Sequence, residues 1–231
     1  MQLFIADQIL DDTGVLGAEE TLHATKVLRL QEGNILFVTA GKGSIYKAEI
    51  LAFSKKELKF KILELHSREL SNSHLHIAIG PTKSLDRFET FLEKATEVGV
   101  DEITPLFSFH SERKVYKTDR GKRIIRAAAK QSISHFIPQL NEPAHFSDFI
   151  NQTTTDHKYI AHCYTDATKK DLFPLLNTKD DTLVLIGPEG DFSEKEVEQA
   201  KNAGFTPVSL GTKRLRTETA AMAVAIGGKL F

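Results

Sequence analysis

Two stretches near the C-terminus combine residue types that suit a ligand pocket. The first is LVLIGPEGDFS, Leu183 to Ser193, where Gly187, Glu189 and Gly190 directly follow an apolar run. Glycine has no Cβ, so the backbone N–H groups of this turn can approach a ligand closely. The turn matches neither the dinucleotide fingerprint nor the P-loop, which disfavours a phosphate cradle. A plain strand-to-helix turn is the structural alternative.

The second stretch is SLGTKRLRTETAAMAVA, Ser209 to Ala225, where a strand end runs through a basic loop into a helix of small residues. We expect Thr217 or Thr219 to be the N-cap of this helix. Its small residues allow close packing against another element, and a helix that only closes the core is the alternative. That role does not require Arg214 or Arg216. Two successive strand ends with glycine therefore predict one shared pocket.

A third stretch is strongly basic. Residues 113–130 hold eight Lys or Arg against one acid, Asp119, in a chain of formal net charge -1. This density favours contact with a polyanion, although a charge run is also typical of a solvated face. Two basic sets recur at helical spacing, which places each set on one face: Arg123, Arg126 and Lys130 in this stretch, and His23, Lys26 and Arg29 near the N-terminus.

The elements that carry these stretches fall into two groups. From residue 34 to 65, short runs rich in β-branched and aromatic residues alternate with turn signals such as Gly41-Lys42-Gly43, which predicts antiparallel strands. Residues 20–30 predict one short helix before them. We interpret residues 1–70 as a small β-barrel-like domain, and the polar run His66 to Ser73 as a linker.

After the linker, strand and helix patterns alternate. The predicted strands are 75–80, 102–109, 158–164, 182–187 and 207–211, and the predicted helices are 84–99, 118–134, 193–204 and 217–230. Ser193 and Glu196 form an S-x-x-E capping box at the start of one helix. The alternation predicts an α/β domain, residues 71–231, with a mainly parallel sheet covered on both faces. Ligands of such sheets bind beyond the carboxyl ends of the strands.

Composition excludes several classes of protein. The 231 residues suit two domains, and 41% hydrophobic with 26% charged residues is ordinary for a globular chain. The single cysteine, Cys163, excludes an internal disulfide and a cysteine-based metal site, and the histidines lack an H-E-x-x-H spacing, so we expect no metal. No run approaches about 18 apolar residues, and the start lacks the features of a signal peptide. We therefore expect a cytoplasmic protein without a membrane span.

Taken together, these motifs resemble a known family. The run IGPEG-x-FS-x-x-E, the later LG, and LRTETA resemble the bacterial small-subunit (16S) rRNA uridine N3 methyltransferases of the SPOUT class. The similarity extends through K-x-x-D-R-F-E to I-T-P-L, Lys83 to Leu106, and through HATKVLRLQEG, His23 to Gly33. It therefore covers nearly the whole chain, with the C-terminal motifs the most specific.

The resemblance implies a PUA-like RNA-binding barrel for the first domain and a SPOUT domain with a trefoil knot for the second. It also implies a homodimer that uses S-adenosyl-L-methionine and acts on 16S rRNA in the small ribosomal subunit. The residues that match the family's cofactor-binding motifs are Ile186, Gly187, Glu189, Gly190, Leu210, Gly211, Leu215, Thr217, Thr219 and Ala220.

The resemblance also suggests residues for catalysis and for RNA binding. Arg216 would orient the uracil or its phosphate through its planar donors, and Glu218 would accept the N3 proton or only orient its neighbours. The candidates for RNA binding are His23, Lys26, Arg29, Lys83, Arg87, Arg113, Arg123, Arg126 and Lys130. Rival interpretations are a non-catalytic RNA-binding protein of the same fold, a SPOUT methyltransferase with another RNA target, and a nucleotide-binding α/β transferase.

Two positions depart from the family pattern. Asp191 follows GPEG where the family often has a second glycine, and Ser134 stands where the family tends to carry an arginine. Aspartate tolerates unusual backbone angles better than most residues, so we expect the pocket to accept Asp191. The arginine's RNA contact is then either lost or supplied by the basic residues 113–126.

Overall fold

The structure is a computed structural model that describes residues 1–71, 73–155, 157–176 and 179–230. These residues form two compact units. The N-terminal unit consists of Met1–Ser71 together with Arg126–Ile137, and the C-terminal unit consists of the remaining described residues. Asn72, within the predicted linker, lies outside the described residues. The division of the chain at residue 70 stays a prediction.

A six-stranded sheet forms most of the N-terminal unit. Its strands are β1 (Leu3–Ile5), β2 (Gln8–Leu10), β3 (Thr13–Leu16), β4 (Ile35–Thr39), β5 (Ser44–Phe53) and β6 (Leu58–Arg68). They lie in the order β1-β4-β5-β6-β3-β2, with β1 and β4 parallel and the other pairs antiparallel. The antiparallel strands predicted from residue 34 are confirmed. His66–Arg68 belongs to β6 rather than to the predicted linker, and the short strands β1 to β3 were not predicted.

The helix predicted before these strands has two parts. Helix α1, Ala18–Leu22, continues directly into a π-helical turn, His23–Val27. Arg29 lies beyond the turn, with a φ of +57° in the left-handed region. The expectation that Arg29 shares a helical face with His23 and Lys26 is therefore wrong. The π-helical turn has a wider repeat than an α-helix, and the chain leaves the helix before Arg29.

A nearly buried ion pair holds segment 126–137 in the N-terminal unit. Glu20 of α1 is only 3% exposed, and Lys130 Nζ lies 2.8 Å from its Oε1. Arg126 Nη2 lies 3.6 Å from the carboxylate of Asp7. A buried carboxylate without a partner is strongly destabilising, so Lys130 is required by the fold itself. These two cations are already paired within the unit.

An eight-stranded sheet forms the centre of the C-terminal unit. Its strands are β7 (Leu75–Ile79), β8 (Glu102–Phe107), β9 (Gln139–Leu140), β10 (Ala144–His145), β11 (His157–Ala161), β12 (Lys170–Asp171), β13 (Thr182–Ile186) and β14 (Thr206–Ser209). The order is β10-β8-β7-β13-β11-β14-β12, with β9 also paired to β8. Every strand pairing in this sheet is parallel across the described residues, which confirms the predicted sheet type.

Helices cover both faces of this sheet, as the sequence predicted. They are α2 (Leu85–Val98), α4 (Phe146–Gln152), α5 (Glu194–Asn202) and α6 (Thr217–Lys229), with a 3-10 turn at Phe173–Leu175. A further helix, α3 (Thr118–Gln131), begins in the C-terminal unit, and its residues from Arg126 onward belong to the N-terminal unit. Helix α6 packs on α2 and β7, while buried residues of α4 and α5 join those of β11 and β13. A Cβ on Gly228 in α6 would come within 2.9 Å of the Leu75 side chain, which confirms the predicted close packing.

Helix α5 begins with the predicted capping box. Ser193 Oγ accepts a hydrogen bond from the Glu196 backbone N–H at 3.3 Å, and Glu196 Oε2 accepts one from the Ser193 N–H at 2.8 Å. The other carboxylate oxygen of Glu196 accepts a hydrogen bond from the Phe109 N–H at 2.8 Å. Glu196 therefore fixes the start of α5 and the loop after β8 at the same time.

Helix α6 does not use either predicted cap. Arg216 occupies the N-cap position and makes no side-chain capping hydrogen bond. Thr217 is the first helical residue, and its hydroxyl donates to the Gly187 carbonyl oxygen at 3.0 Å. The prediction of Thr217 or Thr219 as the N-cap is therefore wrong, because the Thr217 hydroxyl joins α6 to the turn after β13.

A polar cluster lies at the amino-terminal side of β7 and β8. His76 Nε2 is hydrogen-bonded to Thr104 Oγ1 at 2.8 Å, and Asn141 donates to both Thr104 and Glu102. Burial lowers the pKa of His76 to about 4, against the effect of the Glu102 carboxylate, while His74 lowers it further. The imidazole of His76 is therefore neutral in the folded protein at neutral pH.

We expect the free energy of unfolding to fall as the pH drops from about 6.5 towards 4. In this window an unfolded His76, with an ordinary pKa of about 6.5, binds a proton that the folded protein does not bind. The loss attributable to His76 is about 3 kcal/mol when the pH reaches 4. Urea unfolding at pH 4.5 and 7 should show a smaller pH dependence in His76→Gln. His145→Gln, at an exposed histidine, serves as the control, and equal pH dependence in the two variants would contradict the assignment.

Candidate active site

Three neighbouring parallel strands, β11, β13 and β14, end at one pocket. The basic loop before α6 and the first turn of α6 complete its wall. The cavity measures about 630 Å³, a size that suits a small ligand or cofactor. Its lining residues are Ala161, His162, Cys163, Lys169, Ile186, Gly187, Pro188, Glu189, Asp191, Val208, Ser209, Leu210, Gly211, Thr212, Lys213, Arg214, Leu215, Arg216, Thr217 and Ala220.

The structure brings together most of the residues that the sequence assigned to a cofactor pocket. Those that line the cavity are Ile186, Gly187, Glu189, Leu210, Gly211, Leu215, Thr217 and Ala220. Arg216, predicted to be catalytic, lines it as well. Gly190, Thr219 and Glu218 are not among the lining residues.

Glycine is required at two positions of these loops, Gly190 and Gly211, for different structural reasons. Gly190 does not adopt a positive φ, and a Cβ at this position would lie 2.7 Å from the Cβ of His110. Glycine is thus required there by the chain's own packing. Gly211 has a φ of +116°, a conformation that side chains disfavour, and no atom lies within 4 Å of the site of its missing Cβ. Gly211 therefore leaves open space beside the cavity.

Asp191 joins the turn after β13 to the end of β11. Its φ is +64°, in the left-handed region that aspartate tolerates better than most residues. Its Oδ2 accepts a hydrogen bond from the Cys163 N–H at 2.7 Å, and its Oδ1 accepts one from the Phe192 N–H at 2.8 Å. Its carbonyl oxygen lies 3.2 Å from His110 Nδ1. One carboxylate therefore holds two strand ends of the pocket in a fixed relation.

The end of β11 contributes pocket residues that the sequence did not reveal. Burial lowers the pKa of His162, with a further contribution from Lys169, which favours the neutral imidazole at neutral pH. Neither ring nitrogen has a hydrogen-bond partner among the described residues, and Asp166 Oδ2 lies 3.9 Å from Nε2. Lys169 Nζ donates to the His162 carbonyl oxygen at 2.7 Å. The feature of the sequence that could have revealed His162 and Cys163 is their position at the carboxyl end of the predicted strand 158–164.

The rim of the pocket is positively charged. Lys213, Arg214 and Arg216 are exposed, and none of them forms an ion pair with another described residue. Clustered cations beside a cleft raise the local concentration of anionic ligands. The pocket thus combines apolar, glycine and charged lining residues with exposed cations that suit phosphate groups.

Known families match both parts of the chain. An RNA methyltransferase domain matches residues 68–226, and an RNA methyltransferase PUA domain matches residues 16–63. The chain belongs to this RNA methyltransferase family. No helix of the described ranges has the length and apolar character needed to span a membrane.

Individual relatives of this RNA methyltransferase are similar to it over nearly its full length. Ribosomal RNA small subunit methyltransferase E of Buchnera aphidicola subsp. Acyrthosiphon pisum (strain APS) is 30% identical over 230 residues, which cover 96% of this chain and 89% of that protein. The crystal structure of a probable rRNA-methyltransferase from Porphyromonas gingivalis is 38% identical with a TM-score of 0.83, covering 97% of this chain and 95% of that one. Ribosomal RNA small subunit methyltransferase E of Neisseria gonorrhoeae, solved with bound S-adenosylmethionine, is 25% identical with a TM-score of 0.82 and the same coverage.

In this methyltransferase, Glu218 faces a neighbouring helix. Its Oε1 lies 3.9 Å from Arg87 Nε of α2, and its Oε2 is buried without a hydrogen-bond partner among the described residues. The structure thus brings together Glu218, predicted to be catalytic, and Arg87, predicted to bind RNA. Neither side chain lines the cavity.

Two cations that were predicted to bind RNA, Arg113 and Lys83, have partners within this methyltransferase. Arg113 donates to the carbonyl oxygens of Thr82 and Lys83, at 3.3 and 2.7 Å, and so braces the loop after β7. Lys83 Nζ lies 2.8 Å from Glu112, although the lysine is mostly exposed. Its backbone N–H donates to Glu189 Oε1 of the GPEG turn at 3.0 Å.

The other RNA candidates divide by exposure. Arg126 and Lys130 are paired as described above, whereas Arg123, Lys26 and Arg29 are exposed and form no ion pair within the described residues. His23 is half-buried, with its ring 5.9 Å from that of Phe4. Ser134, at the position where the family tends to carry an arginine, donates its hydroxyl to the Phe136 carbonyl oxygen at 2.7 Å.

We expect alkylation of Cys163 to report the contact with Asp191. Cys163 is the only cysteine of the chain, and desolvation followed by the Asp191 carboxylate raises the pKa of its thiol. The rate with iodoacetamide should therefore rise through a midpoint above the ordinary value of about 8.5. In Asp191→Asn the midpoint should move to lower pH, because the negative charge is gone.

Glu198→Gln, at an exposed carboxylate of α5, is the matched control for this alkylation experiment. It should leave the midpoint at its wild-type value. An Asp191→Asn profile that coincides with the wild-type profile would show that Asp191 does not control this end of the pocket.

Proposed function

We propose that this chain is an S-adenosylmethionine-dependent methyltransferase that modifies N3 of a uridine in 16S rRNA of the small ribosomal subunit. The observation that carries the proposal is the glycine-lined pocket beyond β11, β13 and β14, in a chain of the RNA methyltransferase family. Relatives named as small-subunit rRNA methyltransferases, one of them solved with S-adenosylmethionine, support the substrate class and the cofactor. The choice of uridine N3 rests on the resemblance of the IGPEG and LRTETA motifs.

The pocket residues fit S-adenosylmethionine. Ile186 and Leu215 offer apolar surface to the adenine ring, while Gly211 leaves open space at the wall. Glu189 and Asp191 place two carboxylates in the lining, which suits a cofactor that carries positive charge on its sulfur and amino group. When bound, S-adenosylmethionine supplies a methyl group that its sulfonium has already activated. The residues at the ends of β11, β13 and β14 would bind this cofactor.

The remaining task of the protein is to orient a weak nucleophile and to manage its proton. Arg216 lines the pocket and is exposed, so its planar set of donors is free to hold the uracil oxygens or a neighbouring phosphate. Lys213 and Arg214 would bind RNA phosphates at the rim. We assign Glu218 to the positioning of Arg87, because its carboxylate faces α2 and lies outside the lining.

The N-terminal unit would bind RNA in the manner of a PUA domain. Lys26 and Arg29 are exposed there without ion-pair partners in the described part of the chain. Contacts of such cations with phosphates position RNA without reading its sequence. The trefoil knot that the resemblance implies stays a prediction, and so does the cytoplasmic location expected from the composition.

Cofactor binding and methyl transfer test the proposed function directly. Calorimetry should detect binding of S-adenosylmethionine and no comparable binding of ATP. With small ribosomal subunits that lack the modification, mass mapping should place one new methyl group on a uridine of 16S rRNA. Arg216→Ala should lower kcat by about 100-fold or more, as expected for loss of a donor at the reacting centre, with cofactor affinity retained.

The outcomes of these assays separate the rival functions. RNA binding without binding of S-adenosylmethionine would identify a non-catalytic RNA-binding protein. Methylation of another RNA would refute the assigned target, and preferential binding of ATP would favour a nucleotide-dependent transferase. Unchanged kcat in Arg216→Ala would remove Arg216 from the mechanism.

We also propose that the protein works as a homodimer. Helix α6 is rich in small residues, and its Ile226 is 37% exposed, which leaves an apolar side chain free for a second copy. Light scattering at micromolar concentration should give a mass of about twice 25.8 kDa. A mass of 25.8 kDa alone would refute the dimer.

A further inference from the structure

Phe109 is the most exposed large hydrophobic side chain among the described residues. It follows β8 at the carboxyl edge of the parallel sheet, and 73% of its surface is accessible. An isolated exposed hydrophobic residue is common and needs no function. Phe109 differs because buried groups hold its backbone in place.

Two sets of hydrogen bonds anchor the loop that carries Phe109. Its backbone N–H donates to Oε1 of Glu196, which is 8% exposed and also closes the capping box of α5. On one side, the Ser108 N–H donates to Ser111 Oγ at 2.9 Å, and the Ser111 N–H donates to the Ser108 carbonyl oxygen at 3.1 Å. Both serines are buried. The loop therefore presents the ring of Phe109 to solvent from a well-ordered base.

The loop of Phe109 lies directly against the turn that lines the pocket. The rings of Phe109 and the neighbouring His110 pack in a T-shaped arrangement, with the centroids 5.0 Å apart. His110 Nδ1 lies 3.2 Å from the carbonyl oxygen of Asp191, and its Cβ fills the space beside Gly190. Asp191 lines the cavity. His110 therefore contacts both the exposed ring of Phe109 and Asp191 in the pocket wall, so one residue lies between the ring and the wall.

Two exposed lysines follow Phe109 in the sequence. Lys114 and Lys117 are exposed, and neither forms an ion pair with another described residue. Aromatic side chains next to free cations are the usual means of binding single-stranded nucleic acid, because the ring stacks on a base and the cations bind phosphates. This combination favours RNA over an apolar protein partner.

We propose that Phe109 stacks on an unpaired base of the RNA substrate, beside the uridine that is methylated. A base that is turned out of its stack for a reaction leaves its neighbour with one bare face. An exposed aromatic ring next to the pocket replaces the lost stacking partner. The inference rests on the proposed function and adds a base-binding residue to it, at a position outside the family motifs identified in the sequence.

The test compares three variants in the full-length protein. In Phe109→Ala, kcat/KM for small ribosomal subunits should fall about 10- to 100-fold, the loss expected for one base–aromatic stack. Affinity for S-adenosylmethionine should stay at the wild-type value. Phe109→Trp, which keeps a stacking surface, should retain activity within a few fold. Val115→Ala removes another exposed hydrophobic side chain, 67% accessible, from the same segment and should behave as wild type.

Salt dependence separates stacking from charge. The defect of Phe109→Ala should persist as the salt concentration rises, because stacking does not depend on released counterions. The defect of a Lys114→Ala, Lys117→Ala double variant should shrink over the same range. A Phe109→Ala defect that disappears at high salt would contradict stacking.

Other outcomes would overturn the inference. Wild-type kcat/KM in Phe109→Ala, or an equal loss in Val115→Ala, would remove Phe109 from RNA binding. A drop of Phe109→Ala to monomer mass would assign the ring to contact with a second copy. Filter binding of 16S rRNA without cofactor tests the stacking of Phe109 separately from the proposed methyltransferase function. If wild type binds rRNA more tightly than Phe109→Ala but transfers no methyl group, the proposed function fails, whereas the stacking of Phe109 on an RNA base stands.

Discussion

The candidate site depends on the parallel pairing of β13 with β7 on one side and β11 on the other. The register places Ile186 opposite both Ile79 and Ala161, so these strands end at the same level. Parallel pairing also requires that the chain return through helices, which cover both faces and remove water from the strands. The edge where the strands end is the place where loops are free to differ from the regular pattern. The pocket lies at that edge for this reason.

Side-chain acceptors then join the loops at this edge to one another. Asp191 binds the backbone of β11's end, Glu189 binds the loop after β7, and Glu196 binds the loop after β8. The Thr217 hydroxyl joins the start of α6 to the turn after β13, because it donates to the Gly187 carbonyl oxygen. Each bond satisfies a backbone group that a turn leaves without a partner in the sheet. The pocket wall is therefore preformed by the chain's own hydrogen bonds.

Much of the C-terminal unit could be predicted from local patterns. Apolar runs of strand length, helical periodicity and the Ser193–Glu196 capping box are short-range signals, and the structure follows them. The pocket residues of β13, β14 and α6 could also be found, because the glycine-bearing turns follow recognisable strands. The end of β11 gave no such turn signal, so His162, Cys163 and Lys169 were missed. The two-residue strands β9, β10 and β12 are too short to show a period.

By itself, the sequence determined the sheet type, the helices on both faces and the stretches that form the pocket, since these follow from hydrophobic spacing and turn chemistry along the chain. Only the tertiary structure decided which charges are free. Arg126 and Lys130 share a helical face with Arg123, yet Asp7 and Glu20 bind the first two. Glu20 lies 110 residues from Lys130 in the sequence, and Asp7 lies still farther from Arg126. Charge pairing depends on distance in space, which no local pattern contains.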